Sequence, residues 1–198
     1  MIVVIDYGAG NLTSVMKALK HISADAAVTS SPDVVAMADK LILPGVGHFS
    51  ATQALEQNGL KRAISRALAR RVPFLGICLG MQWMLASSKE APAVNGLGVF
   101  SECCERFPET VKSPHVGWNA LQPRPRSRLF RDILPGAFVY FTHSYRVPLG
   151  SATSAECEYG GVFSAAIETD RIFGVQFHPE KSGAVGLRVL ENFCSLPC

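Results

Sequence analysis

The amino-acid sequence predicts an α/β protein with a mainly parallel central sheet and an antiparallel extension in its second half. Three observations predict this class. The opening segment "MIVVIDY" is a continuous apolar run rich in β-branched residues, as is typical of a strand buried on both faces of a parallel sheet. Further apolar runs then alternate with helical patterns. Beyond the middle of the chain, short strand-like stretches follow one another with only turns between them.

The first half alternates strands and helices. After the first strand and its glycine turn, Asn11 can cap a helix whose apolar residues recur at helical spacing, namely Leu12, Val15, Met16 and Leu19. The next three strands are predicted at "AAVTS", "KLILPG" and "VPFLGI". Residues 50–70 again carry apolar side chains at helical spacing, with basic residues available for the outer face. This order is that of βαβ units, whose helices cover both faces of a parallel sheet.

The second half is predicted to be an antiparallel meander closed by a helix. Its strand-like stretches are 99–107, 117–121, 138–147, 154–159, 162–169 and 171–177. Turns such as "YGG" and "TDR" separate the later ones. A last amphipathic segment at 185–194 predicts the closing helix.

Composition limits the function classes. A chain of 198 residues with 48% apolar and 18% charged residues is typical of one globular domain, here 1–198. No apolar run approaches the roughly 18 residues that span a bilayer, and the first residues lack the basic region of a signal peptide, so a cytoplasmic location is expected. The net charge of +3 is slight, and the short "RPRSR" run has no interleaved aromatic residues, so nucleic-acid binding has little support.

Six cysteines raise the question of disulfides or a metal site. They are Cys78, Cys103, Cys104, Cys157, Cys194 and Cys198. They contain no C-x-x-C pair and no zinc-like spacing with histidine, so reduced thiols and no metal are expected. Adjacent Cys103 and Cys104 are predicted to face opposite sides of a strand.

Cys78 occupies the centre of "GICLG", a G-x-nucleophile-x-G pattern that follows a predicted strand and precedes the helix-forming "MQWMLASS". In such an elbow the strand turns sharply into a helix, and glycines two residues before and after relieve the crowding. Free N–H groups at the helix start are expected to lower the pKa of the thiol. Taken alone, the elbow leaves open that Cys78 is a buried core thiol.

His178 and Glu180 in "QFHPEKS" supply the partners that a nucleophilic thiol needs. Two residues apart on an extended segment, both side chains can point to one face, with Pro179 stiffening the link between them. The imidazole can then take the proton of Cys78, and the carboxylate can accept a hydrogen bond from the other ring nitrogen. A lone histidine at a strand end would more often be structural.

Backbone N–H groups are candidates for stabilising the oxyanion of such a reaction. One is the N–H of Leu79, directly after the nucleophile, and another is offered by "PGVG", where glycines flank Val46 and permit a peptide flip before Gly47. By itself, "PGVG" also fits a plain β-turn. The competing "DYGAGN" segment has two glycines of a nucleotide-binding loop but Thr13 in place of the third, so a tight turn leading to Asn11 is favoured.

Several motifs in this order resemble the class I glutamine amidotransferases. They are "DYGAGNLTSV", "LPGVGHF", "LGICLGMQ", "PHVGWN", "FTHSYRV" and "QFHPEKS", and they extend over nearly the full chain. The resemblance implies a flavodoxin-like three-layer fold and a triad of Cys78, His178 and Glu180 that hydrolyses the side-chain amide of glutamine. It also implies that Gln82 and the "THSY" segment, with His143, Ser144 and Tyr145, hold the glutamine. No cofactor is implied.

Within that family the chain is most similar to subunits that pass ammonia to a (β/α)8-barrel cyclase making imidazole glycerol phosphate in histidine biosynthesis. The resemblance implies a heterodimer whose partner-facing residues here are Asn11, Trp118, Tyr140 and Lys181. By physical chemistry alone, the two aromatic residues could equally be core residues. Two departures from the family pattern are His48, where a small residue is usual, and the paired cysteines of "SECCERF".

Two alternatives stay open. One is another stand-alone class I glutaminase, such as the one serving pyridoxal phosphate synthesis, whose oxyanion loop and nucleophile context differ from "PGVG" and "GICLG". The other is a catalytically silent flavodoxin-like binding module that docks a partner. An intact triad argues against the silent module, since such a module has no physical need for these three side chains.

Overall fold

The computed structural model describes residues 1–197 and contains a large central sheet with helices on both faces. Its strands are β1 Ile2–Ile5, β2 Ala26–Thr29, β3 Lys40–Gly45, β4 Phe74–Cys78, β5 Leu85–Ser88, β6 Phe100–Arg106, β7 His115–Ala120, β8 Gln122–Pro123, β9 Phe138–His143, β10 Tyr145–Arg146, β11 Thr153–Glu158, β12 Val162–Thr169 and β13 Ile172–Val175. Its α-helices are α1 Leu12–His21, α2 Pro32–Met37, α3 Gln53–Gln57, α4 Leu60–Ala69, α5 Leu79–Trp83 and α6 Gly183–Cys194. Turns of 3₁₀-helix cover Phe49–Thr52 and Pro179–Lys181.

The central sheet has eight strands in the order β2-β1-β3-β4-β13-β12-β11-β8. The pairs from β2 to β13 are parallel, and the pairs from β13 to β8 are antiparallel. This confirms the predicted parallel sheet with an antiparallel extension. Two smaller sheets lie outside it, one of β10, β6 and β5 and one of β7 and β9, so the second half is not one continuous meander.

Side chains of the parallel strands alternate between two hydrophobic clusters, as expected for a sheet covered on both faces. In β1, Val4 packs with α1 and α6 on one face, whereas Val3 and Ile5 pack with α2, α3 and α4 on the other. The β7–β9 ribbon joins the first of these clusters through its inward-facing Val139 and Phe141. Burial of both faces explains why the sequence of β1 is uniformly apolar.

Three helical segments differ from expectation. The region 50–70 is not one helix, because Gly59, at φ +73°, separates α3 from α4. Helix α2 was not predicted at all. The helix after Cys78 ends at Trp83, where the carbonyl oxygen accepts a hydrogen bond from Leu97 N–H, and the predicted continuation instead forms β5 alongside β6. Here tertiary pairing overrides the helical propensity of the segment.

The first and last helices, the paired cysteines and the thiols agree with the sequence-based predictions. Helices α1 and α6 occupy the predicted positions, and the Asn11 side chain caps α1 by accepting from Ser14 N–H at 3.2 Å. Cys104 is fully buried while Cys103 is half-buried, which confirms their opposite orientations. The five cysteines from Cys78 to Cys194 are free thiols, and Cys198 lies outside the described residues. Among residues 1–197, no helix is long and apolar enough to cross a membrane.

Candidate active site

Cys78 lies at the carboxyl end of β4, beside the end of β3. Gly45, the last residue of β3, is its partner across the parallel ladder. The cysteine has φ +54° and ψ −106°, a conformation that is strained for any residue with a side chain, and helix α5 begins at the next residue. The chain therefore turns sharply at the sulfur-bearing residue, as the elbow pattern predicts.

The glycines on either side of Cys78 are required by close approach. A Cβ on Gly76 would lie 2.6 Å from the carbonyl carbon and oxygen of Gly80, and a Cβ on Gly80 would overlap the carbonyl oxygen of Leu43. Real Cβ atoms do not tolerate such contacts with backbone. The elbow thus exists because strand β4, helix α5 and strand β3 meet with no side chain between them.

His178 and Glu180 form a buried pair behind the elbow. Nδ1–H of His178 donates to Oε1 of Glu180 at 2.8 Å, and the two side chains are each 1% exposed. The position of His178 is fixed through its backbone, since its N–H donates to Tyr140 O at 2.9 Å and its carbonyl accepts from Ser182 Oγ at 2.6 Å. The predicted extended geometry is wrong beyond His178 itself, because Pro179–Lys181 is a 3₁₀ turn, and this turn folds the carboxylate back toward the ring.

The protonation of His178 is governed by three opposed effects. Burial disfavours the charged ring, but the nearby thiol of Cys78 and the carboxylate of Glu180 favour it more strongly, and together they raise the pKa of His178 to about 10. The imidazole is therefore biased toward its protonated form at neutral pH. A buried, carboxylate-linked imidazole beside a thiol can both remove a proton and return it.

A cleft of about 330 Å³ opens in front of Cys78. This volume suits a small molecule. The cleft is lined by Val46, Gly47, Cys78, Leu79, Gln82, Glu90, Pro114, Thr142, His143, Ser144 and Tyr145. All three predicted oxyanion residues and all four predicted glutamine-binding residues are in this set. Gly47, at φ +97°, has the left-handed backbone that favours glycine.

Sequence reasoning missed several residues at the site. Nε2 of Gln176 lies 3.7 Å from the sulfur of Cys78, within hydrogen-bond distance for sulfur. Its position two residues before His178 was the available signal. Glu90 lines the cleft and accepts from Phe49 N–H at 2.7 Å. The hydroxyl of Tyr7 packs closely against Gly45, where an added Cβ would lie 2.5 Å from it. Burial, and to a lesser extent the charge of Cys78, raises the pKa of Tyr7.

Three of the four residues predicted to face a partner, Trp118, Tyr140 and Lys181, lie near one another. Trp118 is 55% exposed, its ring meets that of Tyr140 edge to face at 6.1 Å, and the Lys181 ammonium lies 5.8 Å from the centre of the Tyr140 ring. Helix α1, which starts after Asn11, packs beside the turn that carries Lys181. Trp118 is thus not a core residue, and Tyr140 is only half-buried.

His48 and the "DYGAGN" segment have structural roles. His48 is exposed and caps the 3₁₀ turn that follows it, with Nδ1 accepting from Ser50 N–H at 3.2 Å. The "DYGAGN" segment is a tight turn in which Asp6 accepts from Gly8 N–H at 2.9 Å. It brings Gly10 against the backbone of Pro44, next to the candidate oxyanion segment. Among the described residues, no group of three or more His, Cys, Asp or Glu side chains is arranged to hold a metal ion.

Comparison with known proteins places these features in context. Residues 3–195 match the family model of class I glutamine amidotransferases. The chain is 47% identical over 194 residues to imidazole glycerol phosphate synthase subunit HisH of Methanopyrus kandleri, covering 96% of this chain and 94% of the relative. It is 42% identical over 196 residues to the protein of the same name from Escherichia coli K12, covering 98% and 99%.

Solved structures show the same fold at low sequence identity. One described as a glutamine amidotransferase superimposes with a TM-score of 0.77 at 17% identity, covering 98% of this chain and 97% of the other. A chain from the structure of PurLQS from Thermotoga maritima has a TM-score of 0.75 at 17% identity, covering 97% and 96%.

Proposed function

The chain belongs to the class I glutamine amidotransferase family, and from this premise we infer how its residues hydrolyse L-glutamine to glutamate and ammonia. It is a glutamine-hydrolysing enzyme with the function of the glutaminase subunit of imidazole glycerol phosphate synthase, which acts in histidine biosynthesis. The similarity covers nearly the full length of both this chain and its HisH relatives, which supports this function over that of another stand-alone glutaminase.

We propose that Cys78 is the nucleophile, His178 the general acid and base, and Glu180 the group that orients the imidazole. One observation carries this proposal: a buried imidazole, hydrogen-bonded to a buried carboxylate at 2.8 Å, interacts electrostatically with Cys78, whose side chain lines a cleft. A silent binding module would not need a charged pair that burial disfavours.

The proposed reaction proceeds in two stages. The sulfur of Cys78 attacks the side-chain amide carbon of glutamine while His178 holds the thiol proton, and a tetrahedral oxyanion forms. The carbon–nitrogen bond then breaks, the proton moves from the imidazole to the leaving nitrogen, and ammonia departs. Water, deprotonated by His178, adds to the glutamyl thioester; the carbon–sulfur bond breaks, the sulfur regains a proton, and glutamate is released. The raised pKa of His178 supports its role as proton donor to the leaving group.

The oxyanion is proposed to be stabilised by two backbone donors. The first is the N–H of Leu79, directly after the nucleophile, and the second is the peptide between Val46 and Gly47. The left-handed backbone of Gly47 supports a peptide that can reorient in this segment. Loss of one such donor typically reduces transition-state stabilisation by about 3 kcal/mol.

We propose that the substrate is held by four residues of the cleft lining, Gln82, His143, Ser144 and Tyr145. They come from α5 and from the end of β9 and start of β10. The amide of Gln82, the hydroxyl groups of Ser144 and Tyr145 and the backbone groups of this segment suit the polar ends of a free amino acid, and His143 adds a neutral ring to the cleft lining.

The names of the relatives as subunits imply a second subunit. We propose that this partner is a (β/α)8-barrel cyclase, that it receives the ammonia directly, and that it docks on the surface formed by Asn11, Trp118, Tyr140 and Lys181. An exposed tryptophan beside a tyrosine is typical of the centre of a protein interface. The cytoplasmic location and the single domain over 1–198 stay predictions.

The decisive experiment compares Cys78→Ala with Cys103→Ala, a half-buried cysteine outside the cleft. In the complex with the cyclase and its nucleotide, we expect Cys78→Ala to abolish glutamine-dependent product formation and to leave ammonia-dependent formation intact, while Cys103→Ala behaves as wild type. Glutamine-dependent turnover that survives in Cys78→Ala would refute the nucleophile assignment. A glutamine-analogue electrophile should label Cys78 in the wild type, whereas a silent module would stay unlabelled.

A further inference from the structure

Two buried histidines, His115 and His143, face each other across the β7–β9 ribbon, where they are partners in the ladder. Nδ1 of His115 and Nε2 of His143 are 3.2 Å apart. We propose that His115 is a positioning residue for glutamine recognition: with His143 it forms a chain of neutral hydrogen bonds that fixes the amide of Gln82, so that the Gln82 oxygen serves the substrate. This proposal rests on the function inferred above and adds a residue that lies outside the cleft lining.

The hydrogen bonds allow only one tautomer for each ring. Nδ1 of His143 lies 2.8 Å from the carbonyl oxygen of Tyr145, which can only accept, so this nitrogen carries the hydrogen. Burial lowers the pKa of His143 to about 3 and that of His115 to about 4, so both rings are neutral. Nε2 of His143 must therefore accept, and Nδ1–H of His115 must donate to it. Nε2 of His115 is left to accept from Asn119 Nδ2, at 3.4 Å.

The hydrogen-bond chain ends at Asn119, whose side chain is held by backbone groups. Asn119 Nδ2 also donates to Glu158 O at 2.9 Å, and Asn119 Oδ1 accepts from Ala120 N–H at 2.8 Å. Because its oxygen and its nitrogen are both engaged in this way, the Asn119 amide has one orientation. It can only donate toward His115, which agrees with the tautomer required from the other end.

Stacking fixes the plane of the His115 ring. The ring lies between Tyr159, at a centroid distance of 4.0 Å and an interplanar angle of 15°, and Phe141, at 4.8 Å and 23°. Rotation of the ring about its last side-chain bond would keep its plane but exchange the positions of nitrogen and carbon, and so break the bond to His143. The aromatic pair holds the plane, and the hydrogen bonds hold the nitrogens.

At its other end, the hydrogen-bond chain reaches Gln82 in the cleft lining and, through Gln176, the sulfur of Cys78. The carbonyl of Tyr145 accepts from Gln82 Nε2 at 2.8 Å as well as from His143. The second hydrogen of Gln82 Nε2 goes to Gln176 Oε1 at 3.1 Å, and Gln176 Nε2 in turn approaches the sulfur of Cys78. Since both amide hydrogens of Gln82 are used within the protein, its oxygen is the polar atom available to a ligand. It matches an N–H donor, which glutamine offers in its ammonium and amide groups.

The test replaces His115 by phenylalanine, which keeps an aromatic ring in the stack but removes both nitrogens. We expect the KM for glutamine to rise roughly tenfold, the equivalent of one hydrogen bond, with kcat within about twofold of wild type. The matched control is Tyr159→Phe, which keeps the ring that stacks on His115 and loses only a hydroxyl that donates to Lys112 O. Its KM should be that of wild type. An unchanged KM in a folded His115→Phe variant would overturn the proposal.

A second measurement does not depend on activity. Long-range ¹H–¹⁵N correlation spectra of the ¹⁵N-histidine-labelled wild type at neutral pH should show His115 and His143 as neutral rings protonated at Nδ1. Protonation of either ring at Nε2 would contradict the proposed hydrogen-bond chain from Asn119 to Gln82. This test uses the wild type, so it remains decisive even when the His115→Phe variant does not fold. If the wild-type complex does not hydrolyse glutamine, the inferred function is refuted. The spectra would still show whether the hydrogen-bond chain between His115 and His143 exists.

Discussion

Replacing Gly80 by alanine tests how tightly the chain is packed at the nucleophile. The new Cβ would overlap the carbonyl oxygen of Leu43 and lie 3.0 Å from its carbonyl carbon. Leu43 belongs to β3, which is bonded to β1 on one side and to β4 on the other. Because this carbonyl cannot move without disturbing the sheet, we expect the variant to be destabilised and its elbow displaced.

The size of the effect follows from two opposing contributions. Overpacking a tight site lowers stability by about 1–3 kcal/mol, and contact with rigid backbone favours the upper end. Alanine in place of glycine inside a helix returns about 1 kcal/mol. The net loss is therefore about 2 kcal/mol, which for a chain of this length corresponds to a fall in Tm of about 4–8 °C.

The assay is urea or thermal unfolding, with Gly150→Ala as control. A Cβ on Gly150 would lie 2.6 Å from Oε1 of Glu102, but that atom is the end of a flexible side chain and can swing away. We expect the control to change stability by about 0.5 kcal/mol or less. Equal losses in the two variants would show that backbone contact at Gly80 is not what the structure indicates, and the packing argument would fail.

Three further predictions follow from the fold, the site and the surface. Asn11→Ala should lower stability by about 1 kcal/mol in urea unfolding through loss of the cap on Ser14 N–H, while Asn11→Asp should retain it; equal stability of both would contradict the cap. Because the folded-state pKa of His178 is raised from 6.5 to about 10, its contribution to stability is complete below about pH 6.5 and disappears as pH rises through 10; the stability difference between wild type and His178→Gln should shrink between pH 6 and 10.5, and a constant difference would disagree. Trp118→Ala should weaken binding to the proposed cyclase partner by about 2 kcal/mol or more in calorimetry with unchanged Tm, whereas Met37→Ala, at an even more exposed position on α2, should bind normally.

The parallel half of the fold was predictable because local pattern and tertiary environment agree there. A strand buried on both faces is uniformly apolar, so β1, β3 and β4 were found from composition alone. Strand β5 was not, since its helix-forming sequence is overridden by pairing with β6. Helix α2 carries a helix-start signal in its sequence, a serine followed by proline and aspartate. The division of the later strands among three sheets depends on long-range pairing that no local pattern encodes.

The candidate site was predictable where chemistry demands particular residue types at fixed spacing. The elbow around Cys78 and the His178 and Glu180 pair meet that condition, although the 3₁₀ turn that joins the latter two was not anticipated. Gln176 and His115 do not meet it, because their roles arise only when separate strands bring them beside the sulfur of Cys78 and the ring of His143. A glutamine or a histidine on a strand carries no sign of such a neighbour.

In our proposals, the β7–β9 ribbon serves glutamine binding with one of its sides and partner docking with the other. Residues at its alternate positions point to opposite sides: His115 and His143 face the interior, while Val116, Trp118 and Phe138 are more than half exposed. Engineers who wish to redirect this subunit to a different acceptor of ammonia can therefore randomise Val116, Trp118 and Phe138 with β-forming residues and leave untouched the inner positions and Thr142, which lines the cleft. If the partner docks on that side as proposed, such changes would replace the recipient of ammonia and leave glutamine hydrolysis intact.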